Sequence, residues 1–353
     1  MGLLYFVLII GLIITVHEFG HFIIGKISGV VVEEFSIGMG PKIVGFTKGD
    51  TLYSLRLLPI GGYCKFKDED GLESENQKPT EGSFNAAPVH RRISIVAAGP
   101  IFNIILCYFL CYFLCLVVCS QNGIVIPVVN EVMEGYPAEE AGIQPGDEII
   151  KINGSRTYTS NDVTMKMTFN TGEPVRVVYE RDGVRYKTEI VPKQAEDGSY
   201  LMGFINLGRY EEPTGLNVFK HAYYNTRYYS NMVIDSLKMI FKGQVTLDDV
   251  TGPVGMAQMV TEIEDESTET YGFEYTIMVM VALAAMLSIN VGLMNLLPIP
   301  ALDGGKLIFL IIEAVRGKAL PVKYEAAING IFLLLLFGFM IVVSFNDLLR
   351  IFI

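Results

Sequence analysis

Two histidines and a glutamate lie close together in the stretch VHEFGH, residues 16–21, at the end of an apolar run that starts at residue 1. On a helix, His17 and His21 are one turn apart on the same face. Both imidazoles can therefore bind one zinc ion, while Glu18 exchanges protons with the bound water. An isolated ionisable side chain in a membrane span costs on the order of 2.5–3.5 kcal/mol, which favours a compensating metal. The alternative is a structural role, in which neighbouring helices satisfy both histidines.

A third zinc ligand is expected elsewhere, because catalytic zinc usually has three protein ligands and keeps one position for water. The candidate is Asp303, in the stretch NVGLMNLLPIPALDGGKL, residues 290–307. Pro298 and Pro300 are expected to unwind the chain here, and irregular backbone at membrane depth is tolerated where it lines a wet cavity. The alternative is that Asp303 is only a turn residue before the two glycines that follow it.

The elements that must position these residues are membrane spans. Of the 353 residues, 51% are hydrophobic and 18% are charged, and the apolar residues are concentrated in blocks. Because a helix needs about 20 apolar residues to cross a bilayer, the sequence predicts spans at about residues 2–25, 93–119, 275–297 and 326–348. Lysines and arginines place loops 26–92 and 300–325 in the cytoplasm and residues 120–272 outside.

Charge and cysteine content narrow the class further. The formal net charge of −11 comes largely from soluble segments, which argues against a nucleic-acid partner. The five cysteines predict no disulfide framework. Four of them recur every four residues in the second span, which indicates packing at a helix interface, with a metal-binding stripe as the alternative: Cys107, Cys111, Cys115 and Cys119.

The region predicted to be external contains a soluble domain. Short strand-like runs precede the helix start PAEEAG, and residues 175–192 predict a hairpin that turns at Asp182-Gly183. Through PAEEAGIQPGDEIIKING, residues 137–154, this segment resembles a PDZ domain of the bacterial protease-associated type. Such a domain can bind an extended peptide or act as a rigid cap. Residues 215–242 then predict an amphipathic helix on the outer membrane surface.

Several motifs together resemble the site-2 protease family of intramembrane zinc metalloproteases. They occur in the order HEFGH, GMGPKIVGF (38–46), LPIGGYCKF (58–66), AAGPIFN (97–103), one PDZ-like domain, and NLLPIPALDGG (295–305). The resemblance implies that His17, His21 and Asp303 hold Zn²⁺ and that Glu18 is the general base and acid.

The resemblance also implies roles for other residues. Asn295 would orient the substrate or the developing oxyanion, and Asn103 and Gly99 would serve in packing or substrate contact. Residues 51–66, with Gly61 and Gly62, would form a membrane-associated β-hairpin that offers an edge strand to the substrate.

The expected fold is therefore a multi-pass α-helical membrane protein of about four transmembrane helices, with an inserted α+β PDZ domain and a membrane-associated β-hairpin. The predicted domains are an N-terminal membrane part (1–120), an extracytoplasmic PDZ domain (121–210), an interfacial helix and loop (211–272) and a C-terminal membrane part (273–353). The expected location is the bacterial cytoplasmic membrane, and the sequence sets no oligomeric state.

The expected activity is zinc-assisted hydrolysis of peptide bonds within or near transmembrane segments. The resemblance implies single-span substrates, such as anti-sigma factors after a first external cut, or remnant signal peptides. Two other classes stay open. An ion or metal transporter would also place His and Asp inside the membrane, although no duplicated half is visible. A membrane-anchored PDZ scaffold would need neither histidine nor Asp303.

Overall fold

The computed structural model describes residues 1–69, 80–122, 124–168, 170–195, 198–205, 208–211, 215–246, 249–319 and 321–352. The chain divides into two compact units. The first contains Met1–Leu110 and Met239–Ile353, and the second contains Cys111–Lys238. The domain boundaries predicted from the sequence stay predictions.

The described chain contains long helices joined to short strands. The helices are α1 (Gly2–Ile27), α2 (Val89–Asn122), α3 (Pro137–Glu140), α4 (Ser160–Thr168), α5 (Leu216–Phe241), α6 (Pro253–Tyr271), α7 (Phe273–Asn295), α8 (Asp303–Arg316) and α9 (Val322–Phe352). The strands are β1 (Val32–Lys48), β2 (Thr51–Phe66), β3 (Ile124–Ile126), β4 (Glu131–Val132), β5 (Glu148–Ile152), β6 (Ser155–Arg156), β7 (Val175–Arg181), β8 (Val184–Ile190), β9 (Lys193–Gln194), β10 (Tyr200–Leu201), β11 (Phe204–Ile205) and β12 (Arg209–Glu211).

Among the residues that the structure describes, four helices are long and apolar enough to cross a membrane, which confirms the four predicted stretches as helices of that kind. They are Gly2–Ile27, Val89–Val117, Phe273–Asn295 and Lys323–Arg350. In α2, the side chains of Cys107, Cys111 and Cys115 are buried, in keeping with packing at an interface. The Cys119 side chain lies outside what the structure describes.

The core of the first unit lies between α1, α6 and α7. Phe6, Ile9 and Ile13 of α1 pack against Val260 of α6 and Met280 of α7. The sequence predicted one amphipathic helix and a loop within residues 211–272, but the structure has a second helix, α6, in the part predicted as loop. A Gly-Pro start begins this helix, and its apolar residues repeat at helical spacing although acidic residues cover the opposite face.

Strands β1 and β2 form an antiparallel hairpin that starts earlier in the chain than predicted and bends back on itself. Residues 34–37 of β1 pair with residues 52–55 and also with residues 62–65 of β2. The last segment of β2, residues 62–66, therefore pairs with β1 on one side only, and no other strand of the described chain pairs with it. It is an edge strand.

The hairpin carries a group of exposed apolar side chains. This group contains Ile37, Met39, Ile43, Val44, Phe46, Leu55, Leu57 and Leu58. On soluble proteins, large exposed apolar patches usually mark sites that bind another protein or a membrane. The membrane contact of the hairpin stays a prediction, and this surface supports it.

The second unit contains a four-stranded sheet in the order β6-β5-β7-β8. The predicted hairpin at Asp182-Gly183 is confirmed, because Arg181 pairs with Val184 across the turn. Both turn residues have positive φ, at 51° and 77°, as a two-residue type I′ turn requires. Ile149, Val177 and other apolar residues of the sheet form a separate core with α3 and α4 flanking it.

The helix predicted at residues 215–242 is confirmed as α5. One face of α5 packs on the sheet domain of the second unit. Lys166 of α4 pairs with Asp235 of α5 at 2.6 Å, and the rings of Tyr158 and Tyr224 stack at 4.0 Å. Burial opposes ionisation of Asp235, but the hydrogen bonds from Lys166 and Lys238 outweigh it and lower the Asp235 pKa. The place of α5 on a membrane surface stays a prediction.

Helix α9 is joined to α6 by a buried carboxylate. The backbone N–H groups of Gly252 and Gly255, at the start of α6, donate to the Asp347 carboxylate at 3.2 and 2.9 Å. Only 2% of Asp347 is exposed. A carboxylate in an apolar helix is thereby compensated by the unsatisfied donors of a helix N-terminus.

We expect Asp347→Ala to lower the free energy of unfolding by about 2 kcal/mol, because the start of α6 loses its cap. Asp347→Asn keeps one acceptor oxygen and should lose less. Thermal unfolding of both variants in the same detergent measures the difference. If the Asp347→Ala variant were as stable as the wild type, this carboxylate would contribute nothing to the contact between α6 and α9.

Candidate active site

The two histidines of the HEFGH stretch point to the same place because the helix repeat puts them one turn apart on α1. Their rings lie 4.9 Å apart, edge to face, and their Nε2 atoms are 3.2 Å apart. Only 8% of His17 and 9% of His21 is exposed. The local sequence alone is enough to produce this pair.

Asp303 reaches the histidines from the far end of the chain. Helix α7 ends at Asn295 and α8 begins at Asp303, with turns between them, so the predicted unwinding around Pro298 and Pro300 is confirmed. Asp303 Oδ2 lies 3.0 Å from His17 Nε2 and 3.4 Å from His21 Nε2.

Two glycines allow α8 to start at this point. A Cβ at Gly304 would lie 2.0 Å from the carbonyl oxygen of Leu297, and one at Gly305 would lie 2.5 Å from that of Ile299. Any larger residue would push the first turn of α8 away from the preceding loop. The two glycines therefore set the position of Asp303.

The ligand geometry fits a tetrahedral zinc ion. The three candidate ligand atoms are 3.0, 3.2 and 3.4 Å from one another. Metal–ligand bonds of about 2.0–2.2 Å give tetrahedral edges of about 3.3–3.6 Å. Among the residues that the structure describes, His17, His21 and Asp303 are the group whose ligand atoms converge in this way.

The protonation pattern also calls for a cation. His21 Nδ1 lies 2.8 Å from the carbonyl oxygen of Ile95, which can only accept, so Nδ1 carries the proton. In the neutral ring, Nε2 then presents a lone pair to Asp303 Oδ2, a buried atom that has no hydrogen-bond donor. Converging lone pairs repel unless a positive ion lies between them, and a buried unpaired carboxylate oxygen is costly.

Helix α2 backs the two histidines. A Cβ at Gly99 would lie 2.2 Å from His21 Nε2 and 2.9 Å from His17 Nε2, so only glycine leaves room for both rings. Asn103 is fully buried, and its side-chain nitrogen lies 3.2 Å from His17 Nδ1. The sequence singled out both residues for packing or substrate contact, and the structure places both against the histidines.

The sequence does not reveal two groups that support the candidate ligands. The carbonyl of Ile95 holds His21, and the Ser288 hydroxyl donates to the carbonyl of Asn103 at 2.8 Å. No residue type marks a backbone carbonyl as a ligand support. A serine inside an apolar span is a weak signal, since such hydroxyls usually bond to their own helix.

Glu18 lies beside the cluster and next to the edge strand of the hairpin. Its half-buried carboxylate interacts electrostatically with His17, His21 and Asp303. A Cβ at Gly62 would be 3.5 Å from Glu18 Cγ, so the end of β2 runs along this side chain. The structure thus brings one candidate proton carrier to three candidate ligands.

Two predicted substrate-binding residues have other contacts here. Asn295 is the last residue of α7, and its side-chain nitrogen donates to the carbonyl of Val291 at 3.0 Å. Gly61 has a φ of 95° at the bend of β2, a conformation that favours glycine. The roles of Asn295, Gly61 and Gly62 in substrate binding stay predictions.

Known proteins resemble this chain along almost its entire length. The sequence profile of peptidase family M50 matches residues 5–339. A candidate zinc metalloprotease of Clostridium acetobutylicum is 37% identical over 342 residues, covering 97% of this chain and 95% of that protein. The zinc metalloproteases RasP of Bacillus licheniformis and Shouchella clausii are each 30% identical to this chain. The first alignment covers 98% of both proteins and the second covers 99% of both.

One solved structure resembles about a quarter of the chain, with 25% of it covered. The PDZ domain of the SdrC-like protein of Listeria monocytogenes is 21% identical, covers 25% of this chain and 88% of that chain, and has a TM-score of 0.21. A TM-score this low supports no fold assignment. The PDZ assignment of the second unit therefore stays a prediction from the sequence.

We expect Asp303→Ala to lower zinc affinity by about 100-fold or more. Loss of a residue that only supports a ligand typically costs about 10–100-fold, and Asp303 is a proposed direct ligand. The measurement is zinc per chain after dialysis against a weak chelator, by mass spectrometry. Asp265→Ala, which removes an exposed carboxylate of α6, is the control and should keep the wild-type zinc content. Unchanged zinc in Asp303→Ala would mean that the third ligand is another residue.

Proposed function

The chain belongs to peptidase family M50, the site-2 proteases, and from that membership we propose that it cuts peptide bonds within or near transmembrane segments of single-span membrane proteins. It is a zinc metalloprotease with four helices able to cross a membrane. The observation that carries the proposal is the convergence of His17, His21 and Asp303 beside Glu18. The histidines and Glu18 lie on α1, which is one of these helices, and Asp303 begins α8.

The proposed ligands are His17 Nε2, His21 Nε2 and one Asp303 oxygen. A zinc ion bound by these residues would supply a Lewis acid, which would polarise the scissile carbonyl and make water acidic enough to react near neutral pH. The protein side of the chemistry belongs to Glu18. Its carboxylate takes a proton from the attacking water and returns it to the amine that leaves.

The edge strand of β2 is the proposed seat of the substrate. A peptide bond in a helix has its carbonyl hydrogen-bonded, so a transmembrane substrate must unwind before it can be cut. Residues 62–66 have one side paired with β1, and an added strand would replace the hydrogen bonds that the substrate loses. Since Gly62 lies beside Glu18, a peptide on this edge would run past the proton carrier.

The lipid bilayer is the proposed surroundings of the site. The exposed apolar side chains of the hairpin and of α9 would contact lipid, which removes the cost of leaving them in water. The distribution of lysines and arginines supports an active site near the cytoplasmic face and an extracytoplasmic location of residues 120–272. The proposed location is the bacterial cytoplasmic membrane.

The proposed substrates are anti-sigma factors already shortened by a first external cut, and remnant signal peptides. The resemblance to bacterial site-2 proteases is the basis for this choice. An unwound single span fits one edge strand beside one proton carrier. A multi-span protein would have to separate from its own packed helices first.

Glu18→Gln should keep zinc but lower the cleavage rate by about 10²–10⁴-fold, because an amide cannot accept the proton of water. The assay follows a single-span model substrate in proteoliposomes, with zinc content measured on the same sample. Glu266→Gln, which makes the same change at an exposed carboxylate of α6, is the control. Near wild-type cleavage by Glu18→Gln would show that another group is the base.

The same preparation separates the enzyme from a transporter. Wild-type protein that holds zinc, cleaves none of several single-span substrates and moves metal ions across the liposome membrane would overturn the proposed function. Cleavage without metal flux supports it.

The second unit is proposed to act as a steric gate that rejects substrates with bulky external domains. Because β3 pairs with β12, a clean deletion removes residues 123–211 and joins the ends with a short flexible linker. We expect the deleted enzyme to cut both an intact substrate and its trimmed form. Slower cutting of the trimmed form would indicate a peptide receptor, and continued rejection of the intact form by an active enzyme would rule the gate out.

A further inference from the structure

We propose that Asn103 is a positioning residue that sets the tautomer and ring orientation of His17. Asn103 lies on α2 and is 0% exposed, so a substrate would have to displace packed helices to touch it. Its side-chain amide is 3.2 Å from His17 Nδ1, on the side of the ring opposite the candidate metal position. This role concerns metal affinity and does not depend on which substrate is cut.

The chemistry of the imidazole requires an acceptor at this place. His17 Nε2 faces Asp303 and His21, so it must be the lone-pair nitrogen when a metal binds. In a neutral ring the proton is then on Nδ1, which needs an acceptor. Asn103 Oδ1 is buried and has no hydrogen-bond partner. A half turn of the amide brings Oδ1 to His17 Nδ1 and gives both atoms a partner.

The second histidine is held in a matching way. His21 Nδ1 donates to the Ile95 carbonyl at 2.8 Å. Ile95, Gly99 and Asn103 are four residues apart, so they lie along one face of α2. Glycine in the middle leaves room for both rings, and an acceptor on each side receives one Nδ1 proton. One helix face therefore orients both imidazoles.

Helix α7 fixes Asn103 in this position. The Ser288 hydroxyl donates to the Asn103 carbonyl at 2.8 Å, and Ser288 is 0% exposed. A Cβ at Gly292 would lie 3.2 Å from Asn103 Cβ, so α7 packs closely against it. With α1 on one side and α7 on the other, the Asn103 side chain has little freedom, as a group that orients a metal ligand requires.

The test compares three variants of the full chain. Asn103→Leu removes the acceptor at similar size, Asn103→Asp keeps an acceptor oxygen, and Thr276→Val removes a different buried hydroxyl, on α7. Zinc affinity is measured by competition with a chromophoric chelator, and the absorption spectrum of the Co²⁺-substituted protein reports ligand geometry. We expect Asn103→Leu to weaken zinc binding by about 10–100-fold and to shift the Co²⁺ bands. Asn103→Asp should stay within a few-fold of the wild type, and Thr276→Val should match it.

Wild-type zinc affinity and an unchanged Co²⁺ spectrum in Asn103→Leu would overturn the proposal. Equal weakening in Asn103→Asp and Asn103→Leu would also overturn it, because the effect would then come from packing alone.

A second measurement does not need Asn103→Leu to fold. In zinc-loaded protein with ¹⁵N-labelled histidine, NMR locates the Nδ1 protons of both ligand rings. Asn103→Asp should move the Nδ1 proton signal of His17 downfield, because a carboxylate is a stronger acceptor than an amide. The His21 signal, bonded to Ile95, should stay in place. A His17 signal that does not move would show that Asn103 does not accept this proton.

Discussion

The structure depends on three electron-pair donors that converge between apolar helices. His17 Nε2, His21 Nε2 and Asp303 Oδ2 lie 3.0–3.4 Å from one another, and Asp303 Oδ2 is buried without a hydrogen-bond partner. In a low-dielectric setting their mutual repulsion is strong, and a divalent cation turns it into attraction. The surrounding helices must therefore hold the three atoms close enough for one ion and keep other donors away.

Close approach of helices meets this requirement, and small residues make it possible. A Cβ at Gly20 of α1 would be 2.5 Å from the carbonyl oxygen of Ala98, and Gly99 leaves space for both imidazoles. Gly304 and Gly305 let α8 begin against the loop that follows α7. Between helices in a membrane, packing and hydrogen bonds replace the hydrophobic effect, so such contacts are worth more than larger side chains would be. These close backbone contacts therefore fix the positions of the three candidate ligand atoms.

The hairpin is proposed to meet a different requirement, that of presenting a strand to a helical substrate. Its last segment pairs with β1 on one side and passes Glu18 at Gly62 on the other. An unpaired strand edge is a liability in water, because it attracts other strands. Beside the proposed metal site, the same property would offer hydrogen bonds to an unwound peptide. Edge and proton carrier thus lie together because β2 packs along α1.

The sequence by itself determined what depends on near neighbours: the histidine pair on α1, the four apolar helices and the Asp182-Gly183 turn. The helix repeat, the length of an apolar run and the residues of a tight turn are local features, so they can be recognised from the sequence without knowledge of the fold. Only the tertiary structure decided that Asp303 reaches His17, that Asn103 faces a ring and that residues 253–271 form a helix packed on α1. Distant segments meet through packing and shared hydrogen bonds, and no local pattern records which partner each one finds.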